Sequence, residues 1–273
     1  MQGNTDPFHL PSLPLFVQNA TVIKQAETRL GGRLWHLDTT LHGEVFVKTG
    51  SGFERLELKR EYENINALTG YLPLAEIISF TDDSHCATMI TRKIDGKPMH
   101  ECWRDMGRPQ LVEILSDVLR TLWLVKPNVI VNLTPALAQE LADIGGLIKQ
   151  RQINEEDFAQ RSGGTSVTTA WELVNRTAKL QDNAYLSHGD LCLPNIIVTP
   201  QHTWALIDWG KGGKGDRYRD LAALKGSLER NVDTTIFNEV LAAINIHQQD
   251  LDFEKIDFYK LMDIFWYSAT VKG

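Results

Sequence analysis

Cysteine is scarce in this chain: Cys86, Cys102 and Cys192 are the only three in 273 residues, an odd number placed far apart. They fit neither a disulfide framework nor a zinc site. No apolar run approaches the roughly 20 residues that a membrane-spanning helix needs. The opening MQGNTDPFHLPSLPLF is interrupted by three prolines and lacks the basic-then-apolar layout of a secretory signal. Internal repeats and low-complexity tracts are missing as well. So is any block of basic residues: 28 Lys and Arg stand against 35 Asp and Glu, a formal charge of −7. That balance argues against a protein held to nucleic acid or to a membrane surface by phosphate contacts. The expectation from these absences is a cytoplasmic globular protein with neither kind of partner. If the acidic excess bears on function, it favours a small cationic partner; otherwise it is solubility charge. What is present is ordinary, 42% hydrophobic and 23% charged residues, enough for a sizeable core in one large domain or two lobes.

Periodicity divides the chain. Gly32–Asp38 and Glu44–Thr49 alternate around a turn centred on His42 and Gly43, the pattern of a β-hairpin. Glu54–Leu68 then carries apolar or aromatic residues at Leu58, Tyr62, Ile65 and Leu68, a helical spacing. Two further strands are predicted at Glu76–Thr81 and Ala87–Ile94. Beyond Arg108 the pattern turns helical: Leu111, Leu115, Val118, Leu119 and Leu122 share one face of a helix that Pro109 starts, and Thr134-Pro135 caps a second running to about Lys149. Asn154 and Thr165 read as further helix starts. Near the end, Phe237, Val240, Leu241 and Ile244 mark one helix face, and Phe258, Leu261, Met262 and Phe265 another. The fold class is thus α+β, a small antiparallel β-rich lobe with one helix over residues 1–95, then a larger mostly helical lobe over 96–273.

One stretch breaks the helical lobe. Leu186–Asn195 (LSHGDLCLPN) is followed by short apolar strands at Ile196–Thr199 and Trp204–Asp208. Asp190, Asn195 and Asp208 there are all oxygen donors, the type that hard cations such as Mg²⁺ take together with substrate phosphates. A carboxylate left off the metal could accept a proton from a hydroxyl nucleophile. Immediately downstream, Gly210–Gly215 (GKGGKG) matches the dinucleotide fingerprint G-x-G-x-x-G, but no second parallel strand follows to complete a βαβ unit. As a P-loop it fails too, because Asp208 stands where the first glycine belongs and Gly215 where Ser or Thr should be. The glycines read as a tight, mobile connection.

His188-Gly189-Asp190 with Asn195, then Ile207-Asp208-Trp209-Gly210, then Asp216–Ala222 (DRYRDLA) resemble the aminoglycoside phosphotransferases of the protein-kinase-like fold, most closely the 3′-phosphotransferase branch. The three elements occur in order, and the resemblance extends over most of the chain. It implies a bilobal kinase-like fold that binds ATP (GTP is possible) and Mg²⁺. Asp190 would be the catalytic base, Asn195 and Asp208 the metal ligands, and His188 and Asp220 structural supports. Lys48 would grip the nucleotide phosphates, paired with Glu61 in the helix. Gly31-Gly32 would cover the phosphates, and backbone groups of Arg92 and Ile94 would meet the nucleotide base. Cys192 would be a packed loop cysteine rather than a reactive one.

The resemblance further implies a cationic aminoglycoside acceptor, with Glu155, Glu156, Asp157 and Asp263 as candidates for its ammonium groups. Here the sequence departs from the family. Ala159, Gln160 and Arg161 replace further acids, Gly226 and Ser227 replace an Arg-Asp pair, Ile264 replaces a Glu, and seven residues follow Trp266. Each lost carboxylate removes a charge-assisted hydrogen bond of about 1.5–3 kcal/mol to an ammonium group. Two rival readings follow. One is a kinase of the same fold for another hydroxylated metabolite, an amino alcohol or sugar; the other is a nucleotide-binding pseudokinase, against which the intact Lys48, Glu61, Asp190, Asn195 and Asp208 argue. The oligomeric state is not legible.

Overall fold

The computed structural model describes residues 13–28, 30–127, 130, 133, 136–178 and 184–270. After a short helix α1 (Leu15–Gln18), strands β1 (Thr21–Glu27), β2 (Arg33–Thr39) and β3 (Gly43–Ser51) lead into helix α2 (Gly52–Leu68), and β4 (Ile77–Asp82) and β5 (Cys86–Arg92) follow. All pair antiparallel in the order β1-β2-β3-β5-β4. The period of two along β3 sorts its side chains. Val45 and Val47 pack on one face with Trp35, Leu37 and Ile90, under Leu13 and Val17. Phe46 and Lys48 therefore point to the opposite face, where α2 lies. The inward side of α2 carries Leu58, Glu61, Asn64, Ile65 and Leu68, so two polar residues share the stripe that packs on Ala87 and Met89.

β1 was not apparent from the sequence because it is an edge strand exposed at every position, so no in–out alternation marks TVIKQAE. It makes Gly31-Gly32 the turn of a β1–β2 hairpin rather than a lead-in to the β2–β3 hairpin. The chain then enters the helical lobe through β6 (Lys97–Pro98), α3 (Met99–Met106), α4 (Arg108–Leu124), α5 (Ala136–Lys149), α6 (Glu155–Arg161) and α7 (Val167–Thr177). The proposed Thr134-Pro135 cap lies outside the described residues. Leu111, Leu115, Val118, Leu119 and Leu122 all face inward from α4, which Pro109 opens. Asn154 caps α6 by accepting from Asp157 N at 3.0 Å. α7 is capped by Ser166, which accepts from Thr169 N, one residue later than expected for Thr165.

The break in the helices is built from β7 (Tyr185–Ser187), β8 (Ile196–Val198), β9 (Trp204–Leu206) and β10 (Gly213–Gly215), before α8 (Arg217–Asn231), α9 (Thr235–Ala243) and α10 (Phe253–Tyr267). β8 and β9 form the expected hairpin, with β6 on its other edge, while β10 pairs antiparallel with β7. The glycine run is thus not a loose connection. Trp209–Lys211 is a turn of 3₁₀-helix and Gly213–Gly215 a strand. Close packing demands the glycines, since a Cβ on Gly212 would lie 2.5 Å from the Trp209 ring and one on Gly210 2.6 Å from the Glu57 side chain.

Helix α2 is pinned to the helical lobe at three points. Arg60 pairs with Asp143 of α5 at 2.7 Å, Asn64 Nδ2 donates to the carbonyls of Trp209 and Gly212 at 2.8 and 2.9 Å, and the Phe53 and Trp266 rings meet at 5.3 Å. Among the described residues no helix is long and apolar enough to cross a membrane. If the inward stripe of α2 is the stabilising one, Leu58→Ala (6% exposed) lowers unfolding free energy by about 2–5 kcal/mol. Leu56→Ala, 47% exposed one position off that stripe, costs under about 1 kcal/mol. Urea unfolding of the two variants measures the difference.

Candidate active site

Between the lobes lies a cleft of about 460 Å³ whose walls include Leu34, Phe46, Ile65, Ile197 and Ile207, with Lys48, Glu61 and Asp208 at its polar end. Strand period and helix period meet here: Lys48 leaves β3 toward α2, and Glu61 sits one turn along the buried stripe. The ammonium touches both carboxylate oxygens of Glu61 at 2.7 and 2.8 Å, and Asp208 Oδ1 at 3.2 Å. Burial alone would lower the Lys48 pKa, but the Asp208 and Glu61 carboxylates reverse the effect and raise it. Lys48 in turn is the main cause of a lowered Asp208 pKa. Asp208 adopts the left-handed conformation, φ 68°, which aspartate tolerates better than most residues.

The loop from Ser187 to Asn195 is held from below. Oδ1 of the fully buried Asp220, in the first turn of α8, accepts from Ser187 Oγ at 3.1 Å, His188 N at 3.0 Å and Gly189 N at 3.1 Å. Burial pushes this carboxyl up to about 7 in spite of those donors, and its Oδ2 has no partner among the described residues. His188 is buried against Trp209, ring centroids 4.6 Å apart. Its Nδ1 accepts from Asp190 N at 3.3 Å, so Nε2 carries the proton and donates to Ile207 O at 2.9 Å. Burial lowers its pKa, leaving a neutral ring that joins the loop to the strand before Asp208. Asn195 Nδ2 donates to Asp190 O at 2.9 Å, and Asn195 O accepts from Ile207 N at 3.1 Å. Gly189, at φ +80°, passes so close to the Lys211 carbonyl that a Cβ would sit 2.2 Å from it. Asp190 and Asn195 are thereby tied to each other and to Ile207, the neighbour of Asp208, which lines the polar end of the cleft.

Two charged residues that the sequence reading did not single out lie close enough to Asp190 and Asp208 to feel their charge. The Lys211 ammonium lies 4.4 Å from the Trp266 ring centroid. Burial would depress its pKa, yet the Asp190 and Glu57 carboxylates raise it. Glu57 of α2 is pushed up to about 7 by burial, against the pull of Lys211. Lys211 lay inside the rejected glycine fingerprint, and only its place three residues after Asp208 could have marked it. For Cys192, burial and then the Asp190 carboxylate push the thiol pKa up, which disfavours the reactive thiolate.

The four acidic candidates for the acceptor are placed differently. Asp263 is turned to the buried Arg219 at 2.7 Å, and Arg219 also meets Glu140 at 2.9 Å. Asp157 pairs with Arg161 one turn along α6 at 2.8 Å. Glu155 and Glu156 are exposed in the first turn of α6, where carboxylates stabilise a helix N-terminus. The expected covering turn at Gly31-Gly32 is tied to α2, because Thr28 Oγ1 accepts from Gly32 N at 2.8 Å and donates to Glu54. Where β5 ends, Arg92 N donates to Glu76 O at 2.9 Å and Lys93 N to Glu44 O at 3.0 Å. The Arg92 side chain reaches outward to Glu76 at 2.7 Å.

Comparison with known proteins gives a consistent picture. The family model described as the phosphotransferase enzyme family matches residues 23–259. An aminoglycoside 3′-phosphotransferase of Escherichia coli is 25% identical over 227 residues, covering 81% of this chain and 80% of the relative. In fold, the chain resembles an aminoglycoside-3′-phosphotransferase of type VIII (TM-score 0.76, 23% identity, 90% of this chain and 93% of that one). It also resembles a choline kinase from Streptococcus pneumoniae (TM-score 0.57, 21% identity, 90% and 84%). The architecture is accordingly α+β and bilobal, of the kind shared by these small-molecule kinases.

Two measurements check the loop's support. Asp220→Ala orphans three donors and is expected to cost about 3 kcal/mol or more in urea unfolding, whereas Asp220→Asn, which keeps an accepting oxygen, costs less than half of that. In ¹⁵N-histidine NMR, His188 should be mainly the neutral Nε2–H tautomer at pH 6.5, where an ordinary histidine is half protonated, since burial lowers its pKa. The folded chain then resists protonating it, so its contribution to stability is complete above pH 6.5 and declines as the pH falls below it.

Proposed function

The chain belongs to the phosphotransferase enzyme family, and we propose that it moves the γ-phosphoryl group of ATP to a hydroxyl of an aminoglycoside, of the 3′ type, so inactivating the antibiotic. The observation that carries this reading is the Lys48–Glu61 pair, bidentate at 2.7 and 2.8 Å and closed onto Asp208 at 3.2 Å, beside the loop that bears Asp190. Phosphoryl transfer asks a protein for position and charge more than for covalent chemistry. Lys48, kept charged by its two carboxylates, binds the α- and β-phosphates. The apolar cleft walls take the purine, with the Ile94 N–H and the Arg92 carbonyl as the backbone groups that meet it. Asp190 aligns the acceptor hydroxyl and accepts its proton.

The donor set suits Mg²⁺. Asn195 commits its Nδ2 to Asp190 O, which leaves Oδ1 for a cation, and Asp208 adds a carboxylate. Among the described residues no cluster of three or more His, Cys, Asp or Glu forms a self-sufficient metal cage. Few protein ligands completed by substrate phosphates is the arrangement this ion takes. When bound, Mg²⁺ neutralises charge on the transferring phosphates. The relatives named aminoglycoside 3′-phosphotransferase, each matching most of the chain, support the acceptor class.

A coupled ADP-release assay with ATP or GTP, against aminoglycosides, choline and simple polyols, tests the reading. Aminoglycoside turnover is expected, with Asp190→Asn lowering kcat by about 10²–10⁴. The same variant should keep the rise in melting temperature on adding ADP and Mg²⁺. Turnover of choline or a polyol with none of any aminoglycoside would overturn the acceptor assignment, and an undiminished kcat in Asp190→Asn would overturn the base.

A further inference from the structure

Helix α2 carries a polar stripe beside its apolar one. Glu57, Arg60, Glu61 and Asn64, spaced i, i+3, i+4 and i+7, share one side of the helix. That side meets the turn Trp209–Gly212, which follows Asp208. The Glu57 side chain packs on Gly210, Arg60 Nε donates to Gly210 O at 3.4 Å, and the Trp209 N–H faces the Glu61 carboxylate. Asn64 grips the turn most firmly. Its amide, 1% exposed, donates to Trp209 O at 2.8 Å and to Gly212 O at 2.9 Å, so that it holds both ends. Gly212 N closes the same turn by donating to Trp209 O at 3.1 Å. The Asn64 Oδ1 has no partner among the described residues, and the cost of burying it is offset only by those two bonds.

Asp208 stands at the N-cap of this turn, where an aspartate ordinarily folds its carboxylate back to accept from the first backbone N–H groups. Here it makes no such bond, and Oδ1 goes to Lys48 at 3.2 Å instead. The closure that the carboxylate leaves undone is supplied from α2. We propose that Asn64 is a positioning residue for Asp208: by fixing both ends of the turn it holds the left-handed Asp208 backbone, φ 68°, with the carboxylate free for Lys48 and for the Mg²⁺ of a bound nucleotide. Asn64 acts through Asp208 and not on the substrate. The inference rests on the reading that Asp208 is a Mg²⁺ ligand, and it adds the residue that orients this ligand. Groups that bond behind a metal ligand commonly change metal affinity by about 10–100-fold when removed.

The test compares wild type with Asn64→Leu, which removes both bonds, Asn64→Ser, which keeps one donor, and Leu58→Ala, which weakens the apolar stripe of the same helix. Each is titrated by calorimetry with ADP alone, then with Mg²⁺ at fixed ADP, and circular dichroism verifies the fold. Asn64→Leu is expected to bind ADP alone within about twofold of wild type, while its affinity for Mg²⁺ in the presence of ADP falls about 10–100-fold. Asn64→Ser should fall between, and Leu58→Ala should keep the wild-type response to Mg²⁺. A folded Asn64 variant with wild-type Mg²⁺ affinity overturns the inference. So does an equal loss in Leu58→Ala, which would trace the effect to general destabilisation. Failure of both Asn64 variants to fold, with Leu58→Ala folded, overturns positioning in favour of a purely structural role. If Mg²⁺ leaves ADP binding by wild type unchanged, the metal reading itself is overturned and the inference with it, a result that the wild-type titration alone distinguishes from the others.

Discussion

Lys48 and Glu61 meet because two periods coincide: the alternation of β3 turns Lys48 away from the Val45–Val47 face, and the 3.6-residue repeat of α2 brings Glu61 onto the stripe of Leu58, Ile65 and Leu68. Glu61 is buried and takes both its oxygens to the half-buried Lys48, so turning the lysine away would strand that carboxylate, and this contact fixes the helix, the strand and the end of the cleft together. Arg60 and Asn64, neighbours of Glu61 on α2, extend the constraint across the lobes to Asp143 and to the carbonyls around Gly210. The turn of chain after Asp208 is therefore held by the same helix that supplies the partner of Lys48.

The loop bearing Asp190 obeys a second constraint of the same kind. Three donors at Ser187, His188 and Gly189 converge on one oxygen of Asp220, so a single buried side chain satisfies the end of β7 and the irregular residues that follow it. His188, neutral and bonded at both nitrogens, passes that order on to Ile207 and hence to Asp208. Position, not proton transfer, is what this histidine contributes. Glycines at 189, 210 and 212 are required by close packing against the Lys211 carbonyl, the Glu57 side chain and the Trp209 ring, so a run that looks loose on paper is tightly packed in the fold.

Much of this was legible in the amino-acid order. The β2–β3 hairpin, α2, the face of α4, the cap at Asn154 and the hairpin after Asn195 follow from alternation, helical spacing and turn chemistry, which are local properties. The exposed edge strand β1 was not legible, because a strand with no buried face has no pattern. Nor was the start of α7, since Thr165 and Ser166 are both good caps and only the bond to Thr169 N chooses between them.

The candidate site divides in the same way. The sequence by itself determined that Asp190, Asn195 and Asp208 share one short stretch of oxygen donors, and its resemblance to a known family singled out Lys48 and Glu61, which the fold joins to Asp208. What only the tertiary structure decided is which charges remain for a second substrate. Asp157 and Asp263 look like cation ligands in the sequence, but Arg161 and Arg219 already occupy them, and Glu57 of α2 meets the charge of Lys211, three residues after Asp208, from a segment that the sequence keeps far away. Spacing can disclose that a carboxylate exists; whether its charge is already compensated depends on distances across the fold, over which Coulomb energy varies and sequence separation carries no information.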